Sequence, residues 1–222
     1  MKQRQSPMPT SGDRPCGPLD KAHINGRQRA RRLNLSIVIP TLNAAEHLPA
    51  TLGALGMAER RGIDLDIVIS DCGSADETVA IAKQYGARVI TSDRGRGPQL
   101  IAGAKATQGE WIMFLHADTV LERGWDATVM VFVSNERNRD RAAVFSFALD
   151  EDSLAARRLE RLVQLRNNWL GLPYGDQRLL IHRRFYSRLG GYKPLPLMED
   201  VEMVRRVGMA RMALFDVRAV TS

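Results

Sequence analysis

The sequence predicts an α/β fold, a single Rossmann-like, mostly parallel open sheet with helices on both faces. Three observations carry this. Short apolar runs, Leu35–Ile39, Asp66–Ile69, Arg88–Thr91 and Trp111–Leu115, recur along the first half of the chain. Each pair is separated by a stretch of helical character, the arrangement expected of βαβ units. The first run is apolar at both odd and even positions, as in a strand buried on both faces of a parallel sheet.

Taken in order, Leu35–Ile39 is stopped by Pro40, and Leu48, Leu52 and Leu55 then mark a helix ending at Gly56, by their spacing of three and four. Asp66–Ile69 is the second strand. Ser74 to Glu77 reads as a capping box opening a helix toward Tyr85 and Gly86. After the third strand, Arg88–Thr91, Pro98 suits the first turn of a helix carrying Ile101 and Ala104 and stopping by Gly109. Trp111–Leu115 is the fourth strand. Trp125, Val129, Phe132 and Val133 then mark a helix, Ala142–Leu149 a strand, and residues 153–170 a long helix. The strand Arg178–His182, short helices around Tyr186 and Val204, and the strand Met212–Val220 complete the reading.

Composition narrows the class. The 222 residues carry a net charge of +7, of which +6 falls on residues 1–34 and +1 on the remainder. The basic excess therefore belongs to a Pro-, Gly- and Arg-containing tail without hydrophobic period, expected to be disordered, and not to a nucleic-acid surface. Residues 35–222 form the expected folded domain, its C-terminal end read as incomplete. No apolar leader or membrane-length run is present, so the cytoplasm is the expected location. Contact of the basic tail or the Arg-bearing 153–170 helix with the inner face of a membrane is an open option. Cys16 and Cys72 form neither a disulfide framework nor a zinc pattern, and the four histidines lack ligand spacing.

Open α/β sheets bind ligands at the carboxyl ends of their strands. Three such ends here carry polar residues: Pro40, Thr41 and Asn43 with Glu46; Asp71 with Ser74 and Asp76; and His116-Ala117-Asp118. Each could be turn chemistry alone, but three together point to one pocket. Asp118, directly after a buried strand, is a candidate ligand for Mg²⁺ or Mn²⁺ shared with a diphosphate. Arg94 and Arg96, in a Gly-rich turn before a helix N-terminus, suit a phosphate. Glu199 and Asp200 either complement a helix N-terminus or supply a general base. Asp176 and Gln177 precede the later strand.

These segments together resemble the family 2 glycosyltransferases. LSIVIPTLNAAEHL is similar to that family's opening strand and nucleotide loop, and IVISDCGSADETVAIAKQYGARVI to its D-G-S-x-D-x-T segment. GRGPQLIAGAKATQGEWIMFLHADT resembles the stretch ending in D-x-D, and GDQRLLIHRRFYSRLGGYKPLPLMEDVEMVRRV the region closing on E-D. The GRGPQ, LHADT, GDQ and PLMED wording looks like a small bacterial subgroup. The resemblance implies a GT-A fold and inverting, metal-dependent sugar transfer from a nucleotide-diphosphate sugar, with Mn²⁺ or Mg²⁺ as cofactor. It implies that Pro40, Thr41, Asn43 and Glu46 lie by the nucleoside and ribose, Asp71 by the base, and Arg96, Gln99, His116 and Ala117 along the donor. Asp118 would hold the metal, Asp200 would be the base with Glu199 beside it, and Asp176 and Gln177 would face an acceptor, lipid-linked or small. A homodimer is left open, and a non-catalytic nucleotide-sugar-binding protein of the same fold is the alternative. His116 departs from the pattern, standing where the first Asp of D-x-D is usual.

Overall fold

The computed structural model describes residues 33–56, 62–149, 178–195 and 197–221. The expected basic tail, the expected 153–170 helix, and Asp176 and Gln177 lie outside these residues. The described elements are β1 (Leu33–Thr41), α1 (Leu48–Leu55), β2 (Ile63–Asp71), α2 (Thr78–Gln84), β3 (Arg88–Thr91), α3 (Arg96–Ala106), β4 (Trp111–Phe114), β5 (Thr119–Leu121) and α4 (Trp125–Ser134). They continue with β6 (Ala142–Leu149), β7 (Leu179–His182), α5 (Arg183–Arg188), α6 (Glu199–Val207) and β8 (Met212–Thr221).

One eight-stranded sheet runs in the order β3-β2-β1-β4-β7-β6-β8-β5. β3, β2, β1 and β4 are parallel neighbours. Beyond β4 the directions mix: β7 is antiparallel to both β4 and β6, β8 parallel to β6, and β5 antiparallel to β8. The parallel half is thus the part the sequence makes legible, and the mixed half is less regular, as its weaker periodicity suggests.

Alternation along β1 and β4 divides the core. Leu35, Ile37 and Ile39 join Trp111, Met113 and Leu115 beneath Leu48, Leu52 and Leu55 of α1 and Trp125, Val129 and Phe132 of α4. Val38, Ile112 and Phe114 face the other way, under Leu100 and Ala104 of α3, Phe185 and Tyr186 of α5, and Met203 and Val207 of α6. Both strands therefore carry apolar residues on both faces for a reason: each face has its own helical layer. Gly103 lets α3 lie against β1, since a Cβ there would fall 2.2 Å from Val38 Cγ1.

Several local expectations need correction. Ser74 and Glu77 do not form a capping box: α2 starts at Thr78 without a side-chain cap from Glu77, and the Ser74 hydroxyl donates to Asp71 instead. The first turn is held by Asp76, whose Oδ1 accepts the Thr78 amide at 3.0 Å. Arg96 is the first residue of α3 and not part of the preceding turn. β5 is three residues long, too short to carry a readable period, and exists because β8 offers it a partner.

Candidate functional site

In sequence the chain moves outward from β1 through β2 to β3, then returns to place β4 on the other side of β1. That reversal separates the loops after β1 and β4, leaving a crevice at their carboxyl ends. A cavity of about 330 Å³ lies there, lined by Pro40, Thr41, Leu42, Asn43, Ala44 and His47 from one side and His116, Ala117 and Asp118 from the other. Arg96 and Gln99 of α3 complete it. Eight of the residues expected at the donor site or metal therefore meet at one cavity. His47, Leu42 and Ala44 line it too and carry no sequence signal beyond their position after the Pro40 turn.

The loops after β1 and β2 are fastened to each other. Thr41 Oγ1 donates to Asp71 Oδ1 at 2.8 Å, and the Cys72 amide donates to Thr41 O. Asn43, at φ 50°, accepts the Ala75 amide on Oδ1 at 2.8 Å, and its own amide donates to Ser74 Oγ at 2.9 Å. The Ala44 amide donates to Thr78 Oγ1, and the Ala45 amide to Asp76 Oδ2. This accounts for the Asn, Ser, Asp and Thr content of both segments.

Asp71 is buried and acts as the clamp of this arrangement. Besides Thr41 it accepts the amides of Gly73 and Ser74 on Oδ2, both at 2.9 Å, and the Ser74 hydroxyl at 2.5 Å. Burial alone would raise its pKa, but the bonds from Ser74, Thr41 and Gly73 together hold it below the ordinary 3.8. Its carboxylate is thus turned into its own loop. Gln99 is similarly committed: its amide nitrogen donates to Thr41 O and Ser70 O, both at 2.8 Å, pinning α3 across the ends of β1 and β2. Glu46 is 87% exposed beside His47 and is not brought into the cavity with the others.

Arg96 is the pivot of the polar wall. Its Nε lies 3.0 Å from Glu199 Oε1, and Glu199 is 2% exposed while Arg96 keeps 33%. Its Nη2 lies 3.2 Å from His116 Nδ1. A guanidinium can only donate, so Nδ1 accepts and the ring carries its proton on Nε2. Burial, reinforced by Arg96 and then Arg178, holds the His116 pKa well below 6.5 and keeps the ring neutral.

Glu199 and Asp200 open α6, whose N-cap Met198 sits at φ 64°. They diverge: Glu199 is buried against Arg96, whereas Asp200 is half-buried and accepts the Val201 amide at 2.6 Å. Asp200 does not line the donor cavity.

Whether a divalent cation fits can be tested on Asp118. Among the described residues no group of three or more His, Cys, Asp and Glu could hold a metal, and the guanidinium occupies His116 Nδ1. A cage made of protein alone is therefore not formed there. Asp118 is half-buried at the cavity wall, with a 3.4 Å contact from Thr119 Oγ1. One carboxylate beside an open cavity suits a hard cation that keeps water and takes its remaining oxygens from a diphosphate.

Comparison with known proteins agrees with this geometry. The family model described as Glycosyl transferase family 2 matches residues 36–188. A PGL/p-HBAD biosynthesis glycosyltransferase of Mycobacterium tuberculosis is 36% identical over 113 residues, 47% of this chain and 43% of that protein. An uncharacterized glycosyltransferase of the same organism is 31% identical over 91 residues, 40% of this chain and 39% of its own length. The matches thus span less than half the length of these curated relatives. Among solved structures, glucosyl-3-phosphoglycerate synthase from M. tuberculosis, in complex with Mn²⁺, UDP and glucosyl-3-phosphoglycerate, superposes with a TM-score of 0.62. Its sequence identity is 19%, covering 87% of this chain and 73% of that one. S. aureus TarS gives a TM-score of 0.67 at 13% identity, covering 86% and 37%. The fold is the GT-A fold.

Proposed function

This chain belongs to the family 2 glycosyltransferases, and from that premise we propose that it is an inverting, metal-dependent glycosyltransferase. The donor is a nucleotide-diphosphate sugar and the acceptor a hydroxyl-bearing molecule, lipid-linked or small. The observation that carries the proposal is the convergence of Arg96, Asp118 and the loop after β1 on one cavity at the sheet's switch point.

The nucleoside lies along the zipped loops of Thr41 and Asn43, whose mutual bonds present a pre-formed wall. The diphosphate faces Arg96, the cation nearest the N-terminus of α3, where backbone amides and a guanidinium both favour an anion. The His116 Nε2–H supplies a further donor toward a ribose or phosphate oxygen. Asp118 holds Mn²⁺ or Mg²⁺, which, when bound, offsets charge developing on the departing diphosphate.

Asp200 removes the proton of the acceptor hydroxyl. The oxygen forms a bond to the anomeric carbon from the face opposite the diphosphate, and the carbon–oxygen bond to the diphosphate breaks. The nucleoside diphosphate leaves with that electron pair, and the configuration inverts. Glu199, buried beside Arg96, is withdrawn from this proton transfer and serves the donor wall.

Asp200→Asn tests the assignment. Turnover should fall about 10²–10⁴-fold, the ordinary contribution of a positioned base, with nucleotide affinity retained. Unchanged turnover would remove Asp200 from the mechanism. Because Asp200 stands outside the donor cavity, a nucleotide-sugar-binding protein without turnover is the second reading, and wild-type protein that binds donor but transfers nothing would establish it.

A further inference from the structure

In a single orientation Arg96 serves a buried carboxylate and the donor cavity at once. On one side it forms an ion pair with Glu199, a carboxylate only 2% exposed, whose Oε1 accepts no hydrogen bond from any described residue. On the other it lines the donor cavity beside His116 and Asp118. The α3 N-terminus lies close against the segment leading into α6: a Cβ at Gly97 would lie 2.7 Å from both Lys193 O and Leu195 O. The Arg96 side chain, one residue before this contact, reaches from it to both the cavity and Glu199.

We propose that Arg96 couples donor occupancy to the acceptor side, paired with Glu199 in the free protein and drawn from it by the incoming diphosphate. Glu199 is then a positioning residue and a brake on donor affinity: each increment of guanidinium given to the diphosphate is taken from a buried carboxylate. Loss of that pairing loosens the first turn of α6, which carries Asp200. The coupling is reciprocal, so an acceptor that orders α6 alters diphosphate affinity by the same factor. This rests on the donor site proposed above. It adds that the two halves of the site communicate through one side chain.

The test compares UDP and GDP with uridine and guanosine by calorimetry, with Mn²⁺ present throughout, on wild type, Glu199→Gln and Arg96→Gln. Removing the Glu199 charge should tighten the preferred diphosphate by at least about fivefold, the lower range of ordinary site-to-site coupling, and leave its nucleoside unchanged. Arg96→Gln should erase most of the preference for diphosphate over nucleoside. A residue that only stabilises the fold cannot produce a gain in affinity confined to the diphosphate. Wild-type protein should also show faster amide exchange at Val201 and Glu202 with UDP or GDP bound, and this measurement stands if Glu199→Gln proves too unstable to purify.

Equal diphosphate affinity in wild type and Glu199→Gln, or exchange in α6 unchanged or slowed by a diphosphate that binds, overturns the coupling and leaves the donor site intact. Failure of every diphosphate to bind wild type overturns the donor site itself.

Discussion

Asp71 shows how much a single side chain in this crevice is asked to organise. Its two oxygens accept only donors, two hydroxyls and two amides. Asp71→Asn would turn an NH₂ group toward some of those donors and leave them unpaired, so stability should fall by about 1–3 kcal/mol, read by denaturant unfolding. The pH dependence has a definite sign. The folded carboxyl titrates below 3.8 and the unfolded one near it, so the unfolded state binds more protons as the pH drops. The contribution is complete above about pH 4 and is lost as pH falls through the folded value. The variant should lose that acid limb. Asp118 is the opposite case, a carboxylate with little to do in the fold. Asp118→Ala should leave unfolding within about 0.5 kcal/mol of wild type while abolishing the Mn²⁺ dependence of nucleotide binding, measured by calorimetry with and without the metal.

Among elements, α3 bears the tightest constraints. Gly103→Ala would gain about 1 kcal/mol of helix propensity, yet its new methyl would sit 2.2 Å from Val38 Cγ1 on the central strand. Overpacking of this kind costs about 1–3 kcal/mol, and the strand cannot retreat because β2 and β4 flank it. The clash should win and the melting temperature should fall. The strands and helices of the parallel half were legible in sequence because burial on both faces makes the runs Leu35–Ile39 and Trp111–Leu115 continuous. The three-residue β5 was not, since it is defined by pairing with β8. The site divides similarly. Position after a strand identified Thr41, Asn43, Asp71, His116 and Asp118. It could not separate side chains that build the loops, Asp71 and Asp76, from those that face the cavity, because both uses select the same short polar residues. The Gly-rich turn marks Arg96 as a phosphate candidate, but its ion pair with Glu199, about a hundred residues on in sequence, has no local signature.

At the scale of the whole molecule, ligand binding should appear as cooperative stabilisation. A nucleoside diphosphate at a hundredfold excess over its dissociation constant adds about 2.7 kcal/mol, or about 5–10 °C in a domain of this size. A panel of UDP, GDP, ADP and CMP with and without Mn²⁺ should give one metal-dependent shift, and a flat panel would contradict the donor site. No helix among the described residues is long and apolar enough to cross a membrane. The zipped loops after β1 and β2 have a consequence for inheritance. Every cavity-lining residue falls between Pro40 and Asp118, one uninterrupted stretch of chain that closes on itself through its own hydrogen bonds. On the proposed assignment, descendants keep one activated sugar while exchanging the later segment for a new recipient molecule. Any such exchange would have to respect the joints between the two, the pairing of β4 with β7 and the salt bridge from Arg96 to Glu199.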